Sequence, residues 1–409
     1  MTDLKSSPAP SRRLILLMAL ACGVGVANVY FPQAITPLLA RDLHISESTA
    51  TTVATMAQLG YAAGIFLLVP LGDRLPRRRL IATLFGVVAA GLFLAGISSS
   101  VPPLLAFCAI VGAATVVPQI LIPMAADLAG PTSAAGTVGI LQGGLLGGVL
   151  LARTFGGTLG QLLGWRAPYL IAAALAVLLA IALVVALPAT APSSTERYPA
   201  LLATSLRLLR TQPALRWSCL YQFLLFGAFT AAWTSIALHL TGPAFGYGTS
   251  VVGLVALVGA ASVFAVPVAG RQIDRRGPDV ISVLCFGGLL LAAAVLLTGT
   301  WHGVPGLIGL TAGMLLLDVS VQTSQVANQA RIFALVPGAR SRLNSVYMTA
   351  VFLGGTCGSW AGARIYLHFG WGAVAALVAV AGVAALAGHL LRLRITAPAG
   401  RRESAEAAA

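Results

Sequence analysis

GRQIDRRG, residues 270–277, lies between two long apolar runs, and a degraded copy, VPLGDRLPRR, residues 69–78, lies between two others nearer the N-terminus. A turn-forming residue, Pro76 or Gly277, stands three residues after the Asp of each copy. In both copies an Asp-Arg pair follows one apolar run and introduces the next: Asp73 with Arg74, and Asp274 with Arg275. Two equivalent loops predict a chain built from two equivalent halves.

The composition predicts a membrane protein. Hydrophobic residues make up 58% of the 409 residues and charged residues 9%, whereas soluble domains carry about 25% charged residues. Apolar runs of about 20 residues, the length that crosses a hydrocarbon core about 30 Å thick, recur along the chain. We predict twelve spans, at residues 14–40, 48–71, 79–98, 103–126, 136–160, 166–187, 214–240, 248–270, 279–299, 304–328, 342–366 and 371–391.

The one long break in hydrophobicity, residues 186–213, separates six spans from six, and its second part is predicted to form a short interfacial helix. We therefore predict an all-α membrane protein with twelve transmembrane helices in two pseudo-symmetric six-helix bundles. Internal duplication of this kind is common in secondary transporters. The predicted boundaries are an N-terminal tail at 1–13, a first bundle at 14–187, a linker at 188–213, a second bundle at 214–391 and a C-terminal tail at 392–409.

Charge placement predicts the orientation. All 25 Lys and Arg residues except Arg41, Arg153, Arg166 and Arg364 fall in the tails or in the loops on the N-terminal side. By the positive-inside rule, both tails and the linker of this multi-pass membrane protein are cytoplasmic. The net charge of +14 therefore reports topology, and no nucleic-acid partner is expected, because no separate domain presents the basic residues.

The Asp-Arg loops resemble the loop 2/3 signature of the major facilitator superfamily, G-x-x-x-D-R-x-G-R-R. The second copy keeps both glycines, Gly270 and Gly277, while the first has Val69 and Pro76 there. NVYFPQ (28–33) and QVANQARIFALVPGARSRLNSVYM (325–348) are similar to a bacterial drug- or sugar-efflux-type subgroup, which implies a location in the bacterial inner membrane. The resemblance implies a central cavity between spans 1, 4, 7 and 10, with spans 2, 5, 8 and 11 at the interface of the halves and spans 3, 6, 9 and 12 outside.

Two charged residues near the middle of spans are candidate functional groups, because a charge at the bilayer centre costs about 2.5–3.5 kcal/mol. Asp318 in span 10 is the predicted proton-coupling residue. Arg153 in span 5 is a predicted substrate-cavity residue, which either pairs with Asp318 or holds an anionic group. The alternatives are a permanent ion pair without a transport role, bonding of Arg153 within its own half, and snorkelling of either charge along its helix.

Polar and aromatic side chains on single helix faces predict a cavity. Asp318, Gln322, Gln325 and Gln329 recur at i, i+4, i+7 and i+11, and therefore share one face of span 10. Such a row either lines an aqueous cavity, which we predict, or bonds neighbouring helices. Further candidates are Asn28, Tyr30 and Gln33 around Pro32 in span 1, Gln119 in span 4, and Gln222, Phe226, Phe229 and Trp233 in span 7, where an aromatic stripe is equally typical of packing.

The signature loops supply the gating candidates: Asp73, Arg74, Arg77, Gly270, Asp274, Arg275 and Gly277. The resemblance implies that Asp73 holds span 2 against the N-terminus of span 11, near Arg342 and Asn344. The glycine run of span 5 loosely resembles that of proton-coupled exporters but lacks their Gly-Pro step, and close helix packing explains it equally well. Its members are Gly139, Gly143, Gly144, Gly147 and Gly148.

No Walker loop, H-E-x-x-H or G-x-S-x-G motif occurs, so we expect neither an enzyme nor a cofactor or metal site. The sequence predicts a secondary active transporter, a proton-coupled exporter of small organic molecules that works by alternating access. Its expected partners are the substrate, protons and the lipid bilayer, and it is expected to function as a monomer. The alternatives are an importer or facilitator of the same fold for a small metabolite and a non-transporting membrane receptor.

Overall fold

The computed structural model describes residues 10–129, 134–188, 196–259, 261–262, 265–301, 303–336 and 340–396, and within them it is helical with no strand. The helices are α1 (Arg12–Asp42), α2 (Glu47–Leu67), α3 (Leu71–Arg74), α4 (Arg77–Gly96), α5 (Val101–Ala114), α6 (Val117–Ala129), α7 (Ala134–Leu163), α8 (Arg166–Ala186), α9 (Tyr198–Thr211), α10 (Pro213–Thr241), α11 (Thr249–Gly259), α12 (Ala265–Leu296), α13 (Gly303–Phe333) and α14 (Arg340–Thr396). The predicted all-α fold class is confirmed.

Ten segments of the described residues are long and apolar enough to cross a membrane. One of them, Arg342–Ile395, has 54 residues, which at 1.5 Å per residue is far longer than one crossing needs. This helix turns at Gly370, where φ is 75°, so α14 supplies two crossings. Predicted span 8 is covered by α11 and the first part of α12, with residues 260 and 263–264 outside the described ranges, so the count of twelve and the bundle boundaries stay predictions.

The two signature loops turn the chain by different means. In the second copy Gly277 adopts φ 79° and ψ 159°, a positive φ that glycine reaches without steric cost, and Pro278 starts the next crossing within α12. In the first copy Pro76 precedes α4 with φ −56° and ψ 111°. Because proline fixes φ near −65° and cannot continue the preceding helix, it ends one segment and starts the next without a glycine.

Predicted span 4 is interrupted where the sequence reads as a continuous apolar run. Helix α5 ends at Ala114 and α6 begins at Val117. Pro118 has no N–H to donate to the carbonyl of Ala114, four residues earlier, which accounts for a break at this point. The linker helix predicted before span 7 is present as α9.

Small residues let the long helices approach closely within each half. Helix α7 packs on α1, where methyl groups added at Gly144 and Gly148 would overlap the backbone of Ala19 and Gly23. Helix α10 packs on α14 in the same way, through Gly227 and residues 354–358. The glycines of span 5 therefore form two groups, because no atom of the described residues lies within 4 Å of a methyl group added at Gly139, Gly143 or Gly147.

Candidate functional site: a central cavity beneath a buried charged layer

A central cavity of about 610 Å³ lies between the N-terminal helices (α1, α2, α6 and α7) and the C-terminal helices (α10, α13 and α14). We call the membrane face at which α1 begins the inner face and the opposite one the outer face. The cavity opens at the inner face, where its lining includes Asp127, with a side chain 66% exposed, and the exposed Arg340. Its deep end is formed by the buried Tyr30 and Phe229.

The outer face is closed by direct contacts between α7 and α11. The Thr154 hydroxyl donates to the carbonyl of Gly253 (2.8 Å), and the Thr249 hydroxyl donates to the carbonyl of Gly157 (3.0 Å). The backbone N–H of Ser250 donates to Oε1 of Gln161 at 2.8 Å. Since α7 belongs to the N-terminal helices and α11 to the C-terminal ones, these bonds must break when the outer face opens.

Amide side chains give the cavity its polar surface. The lining includes the predicted Gln119, Gln322, Gln325 and Gln329, together with Gln142 and Asn344, which were not predicted as lining. Gln142 could have been predicted from helical periodicity, because it shares a face of α7 with Val149 and Arg153 at i, i+7 and i+11. Asn344 Nδ2 donates to Gln119 Oε1 across the two halves at 3.5 Å, and within the C-terminal half Gln329 Nε2 donates to Asn344 Oδ1 at 3.3 Å.

Phe226 and Tyr30 also line the cavity, but five predicted cavity residues and Asp318 do not. Asn28, Gln33, Arg153, Gln222, Trp233 and Asp318 are all buried. Gln222 joins α10 to α13: its Nε2 donates to the carbonyl of Val321 (3.2 Å), and its Oε1 accepts from Ser324 (3.1 Å). The structure thus gives Gln222 a packing role in this conformation.

Arg153, Trp233 and Asp318 form a buried layer just beyond the deep end of the cavity. Each lies four residues, about one helical turn or about 6 Å along the axis, from a lining residue of its own helix: Val149, Phe229 and Gln322. All three are nearly inaccessible, with exposures of 1%, 1% and 0%. We call these three residues the charged layer.

Aromatic rings surround the guanidinium of Arg153. Its Cζ lies 4.1 Å from the ring centroid of Trp233, 5.2 Å from that of Tyr30 and 5.4 Å from that of Phe229. Its Nε donates to Oε1 of Gln33 at 3.0 Å. Its other two nitrogens are buried without a hydrogen-bond partner among the described residues, so cation–π contacts replace an ion pair here.

Asp318 is held on one oxygen only. The indole Nε1 of Trp233 donates to Oδ1 at 3.1 Å, while Oδ2 is buried without a hydrogen-bond partner among the described residues. Gly259 of α11 makes room for this oxygen, because a methyl group added there would lie 2.5 Å from Oδ2. No ion pair within 4 Å joins Arg153 to Asp318 in the part of the chain that is described, and Trp233 links the two charges instead.

At the inner face the signature loops contact neighbouring helices. Arg77 donates to Asp127 of α6 at 2.6 Å and to the carbonyl of Gly72 at 3.3 Å. Asp73 lines a small cavity together with Arg342 and Ser345 of α14 and with residues of α9. Arg74 and Arg275 are exposed, Gly270 has open space around its Cα, and the side chain of Asp274 lies outside the described residues.

The second half repeats the Arg77–Asp127 pair with reversed charges. Here the loop residue is Asp279, and Arg331 of α13 donates to its Oδ1 at 2.9 Å. Arg392 near the end of α14 contacts the same oxygen. This cluster was not predicted from the sequence, although the offset between the two signature loops aligns Asp279 with Arg78, next to Arg77.

Among the described residues, no group of three or more His, Cys, Asp or Glu side chains has the placement to hold a metal ion. A helical membrane protein with a central cavity open to one face and closed by breakable contacts at the other has the architecture of a transporter.

The chain belongs to the Major Facilitator Superfamily, whose family model matches residues 14–330. It is 38% identical over 364 residues to YgaY of Escherichia coli strain K12, covering 89% of this chain and 91% of that protein. It is 36% identical over 396 residues to SCO4007 of Streptomyces coelicolor, covering 97% and 89%. Both relatives are named as transporters.

Two solved structures share the fold at low sequence identity. A mutant of the nucleoside transporter NupG superposes with a TM-score of 0.72 at 14% identity, covering 94% of this chain and all of that one. The D-xylose-proton symporter superposes with a TM-score of 0.71 at 16% identity, covering 92% and 96%. These likenesses establish the major facilitator fold for this chain.

Replacing Asp73 with Asn is expected to shift the population toward states open at the inner face. In this structure, which is open at the inner face, Asp73 lines a small cavity with Arg342 and Ser345 of α14. We expect closure of that face to bring the carboxylate closer to the N-terminus of α14, where a negative charge is worth about 0.3–2 kcal/mol. The measurement is crosslinking between cysteines introduced at the inner ends of α2 and α14, in a background without the five native cysteines. Glu47→Gln removes a charge at the outer end of α2 and serves as the control. Equal crosslinking yields in Asp73→Asn and the parent would exclude a role of Asp73 in holding α2 against α14.

Proposed function

We propose that this transporter is a proton-coupled exporter of small organic molecules that works by alternating access. It acts as a monomer in the bacterial inner membrane, with both termini in the cytoplasm. The observation that carries the proposal is Asp318, a buried carboxyl group with one oxygen unpartnered among the described residues, one helical turn beyond the cavity. Ionisable residues at such depth are costly, and they mark proton relays and substrate pathways.

The position of Asp318 ties its protonation to the movement of the halves. Asp318 accepts a hydrogen bond from Trp233, and the ring of Trp233 makes a cation–π contact with the guanidinium of Arg153. A change in the protonation of Asp318 therefore alters a contact between the C-terminal and N-terminal helices. Proton binding and the rearrangement of the two halves then share one free-energy change. A cargo group that binds the ionised carboxylate competes with the proton, and this competition produces exchange of cargo for protons, which is export along the inward proton gradient.

Arg153 supports a second candidate function, uptake of an anionic metabolite together with a proton. Two guanidinium nitrogens are unpartnered within the described ranges and suit an anion. If cargo carried only negative charge, protonation of Asp318 would favour its binding to Arg153, because the competing carboxylate would be neutral. Cargo and proton would then bind together and move in the same direction.

The direction of the pH gradient that drives accumulation separates the two functions. The purified protein is reconstituted into liposomes, and uptake of labelled drugs, sugars and amino acids is measured with an imposed gradient of either sign. Exchange predicts accumulation when the lumen is acidic, and cotransport predicts it when the outside is acidic. Liposomes without protein are the control. Equal equilibration under both gradients would show a facilitator and refute proton coupling, and binding without flux would show a receptor.

A further inference from the structure

The charged layer presents two opposite charges that do not satisfy each other. Arg153 belongs to the N-terminal helices, and Asp318 belongs to the C-terminal helices. Each has part of its hydrogen-bonding capacity filled by a neutral partner, Gln33 for Arg153 and Trp233 for Asp318. The remaining donors of the guanidinium and the remaining oxygen of the carboxylate are buried without hydrogen-bond partners in the described part of the chain. Buried polar atoms of this kind are rare unless water or a ligand completes them.

The unpartnered atoms of Arg153 and Asp318 each favour a particular kind of ligand group. The two terminal nitrogens of Arg153 form the edge of the guanidinium that binds a carboxylate through two parallel hydrogen bonds. Oδ2 of Asp318 is a buried acceptor that packs against Gly259, a residue whose missing side chain leaves room for this oxygen. An ammonium group carries donors only and matches that oxygen.

The distance between the two charges is set by one indole ring. The guanidinium lies 4.1 Å from the ring centroid of Trp233, and the indole nitrogen lies 3.1 Å from Oδ1 of Asp318. A separation of one ring is too long for an ion pair within 4 Å. A molecule whose carboxylate and ammonium are separated by a single carbon can reach both groups, since each contact adds about 2.7–2.9 Å.

We infer that the cargo is a small zwitterion of the α-amino acid type, whose carboxylate binds Arg153 and whose ammonium binds Asp318. This inference rests on the proposed function, because it assumes that the cavity beneath the charged layer admits the transported molecule. The side chain of the cargo then extends into the cavity, against Tyr30 and Phe229, which contact Arg153 on the cavity side.

A zwitterion also accounts for both parts of the transport cycle. Its two charged ends are held by helices of different halves, so its binding energy draws those halves together, which a cargo with one charged group does not do. Its ammonium competes with the proton for Asp318, whereas its carboxylate neutralises Arg153. The contact between the ammonium and Asp318 produces exchange of cargo for protons. The contact between the carboxylate and Arg153 leaves no unpaired guanidinium near the middle of the membrane.

Equilibrium binding of matched ligands tests the inference without any gradient. The probes are L-phenylalanine, its decarboxylated analogue 2-phenylethylamine and its deaminated analogue 3-phenylpropanoate. L-Leucine with 3-methylbutylamine and 4-methylpentanoate forms a second set. Calorimetry on the full-length protein in nanodiscs is expected to show at least one amino acid binding about tenfold or more tighter than both of its analogues, since each lost partner leaves a buried charge unpaired. Equal affinities within both sets, or no binding of either amino acid, would overturn the inference.

Two variants assign the contacts. Arg153→Gln is expected to remove the advantage of the amino acid over its amine, and Asp318→Asn to remove its advantage over its acid. Arg331→Gln, which alters a buried arginine outside the layer, leaves the ranking unchanged. The wild-type ranking decides the matter even where a variant fails to fold. Amino-acid preference without gradient-driven flux would refute the proposed function and keep the inference, whereas gradient-driven transport without that preference would do the reverse.

Discussion

Replacing Asp318 with Asn is expected to abolish the component of transport driven by a pH gradient while leaving the protein folded. Asparagine keeps the shape of the side chain and an oxygen that accepts the hydrogen bond from Trp233, but it cannot take up or release a proton. Accumulation of cargo in liposomes with an imposed gradient should fall to the level of protein-free liposomes. The melting temperature of the purified variant should stay close to that of the parent.

The matched control is Asp127→Asn, which removes a carboxylate from the mouth of the same cavity. The Asp127 side chain is 66% exposed and pairs with Arg77, and exposed ion pairs of this kind contribute about 0.2–1 kcal/mol. This variant should keep gradient-driven transport. A pH dependence in Asp318→Asn identical to that of the wild type would rule out Asp318 as the coupling residue, and a matching loss in Asp127→Asn would show that carboxylates along the pathway act generally.

The fold could be predicted from the sequence because the length of an apolar run is a direct consequence of membrane thickness. The signature loops located two of the turns, at Pro76 and Gly277. The break between α5 and α6 was not predicted, because a proline in an apolar run does not by itself show that the helix ends. Pro32 and Pro37, for example, lie inside the continuous helix α1. Whether a proline breaks a helix depends on what else satisfies the freed carbonyl, and that is a tertiary property.

The candidate site was only partly predictable. The i, i+4, i+7 and i+11 spacing placed Gln322, Gln325 and Gln329 on one face, and all three line the cavity. Asp318 shares that face but lies beyond the deep end, because periodicity fixes direction around a helix and not the depth to which a cavity extends. Gln222 illustrates a second limit, since its amide bonds to the backbone of α13, a contact that only the relative rotation of two helices decides.

Replacing Gly148 with Ala is expected to lower the stability of the protein by about 1–3 kcal/mol, the range for overpacking a tight contact. The added methyl group would overlap the carbonyl and Cα of Gly23, which are backbone atoms of α1 and cannot move aside by a change of rotamer. Gly147→Ala is the matched control, since no atom in the described part of the chain lies within 4 Å of a methyl group there. Alanine favours a helix by about 0.5–1 kcal/mol over glycine, so the control should be neutral or stabilising.

Melting curves of both variants in one detergent measure the difference. Equal melting temperatures would mean that α1 and α7 are not held at backbone contact, and that the glycine run of span 5 serves another purpose.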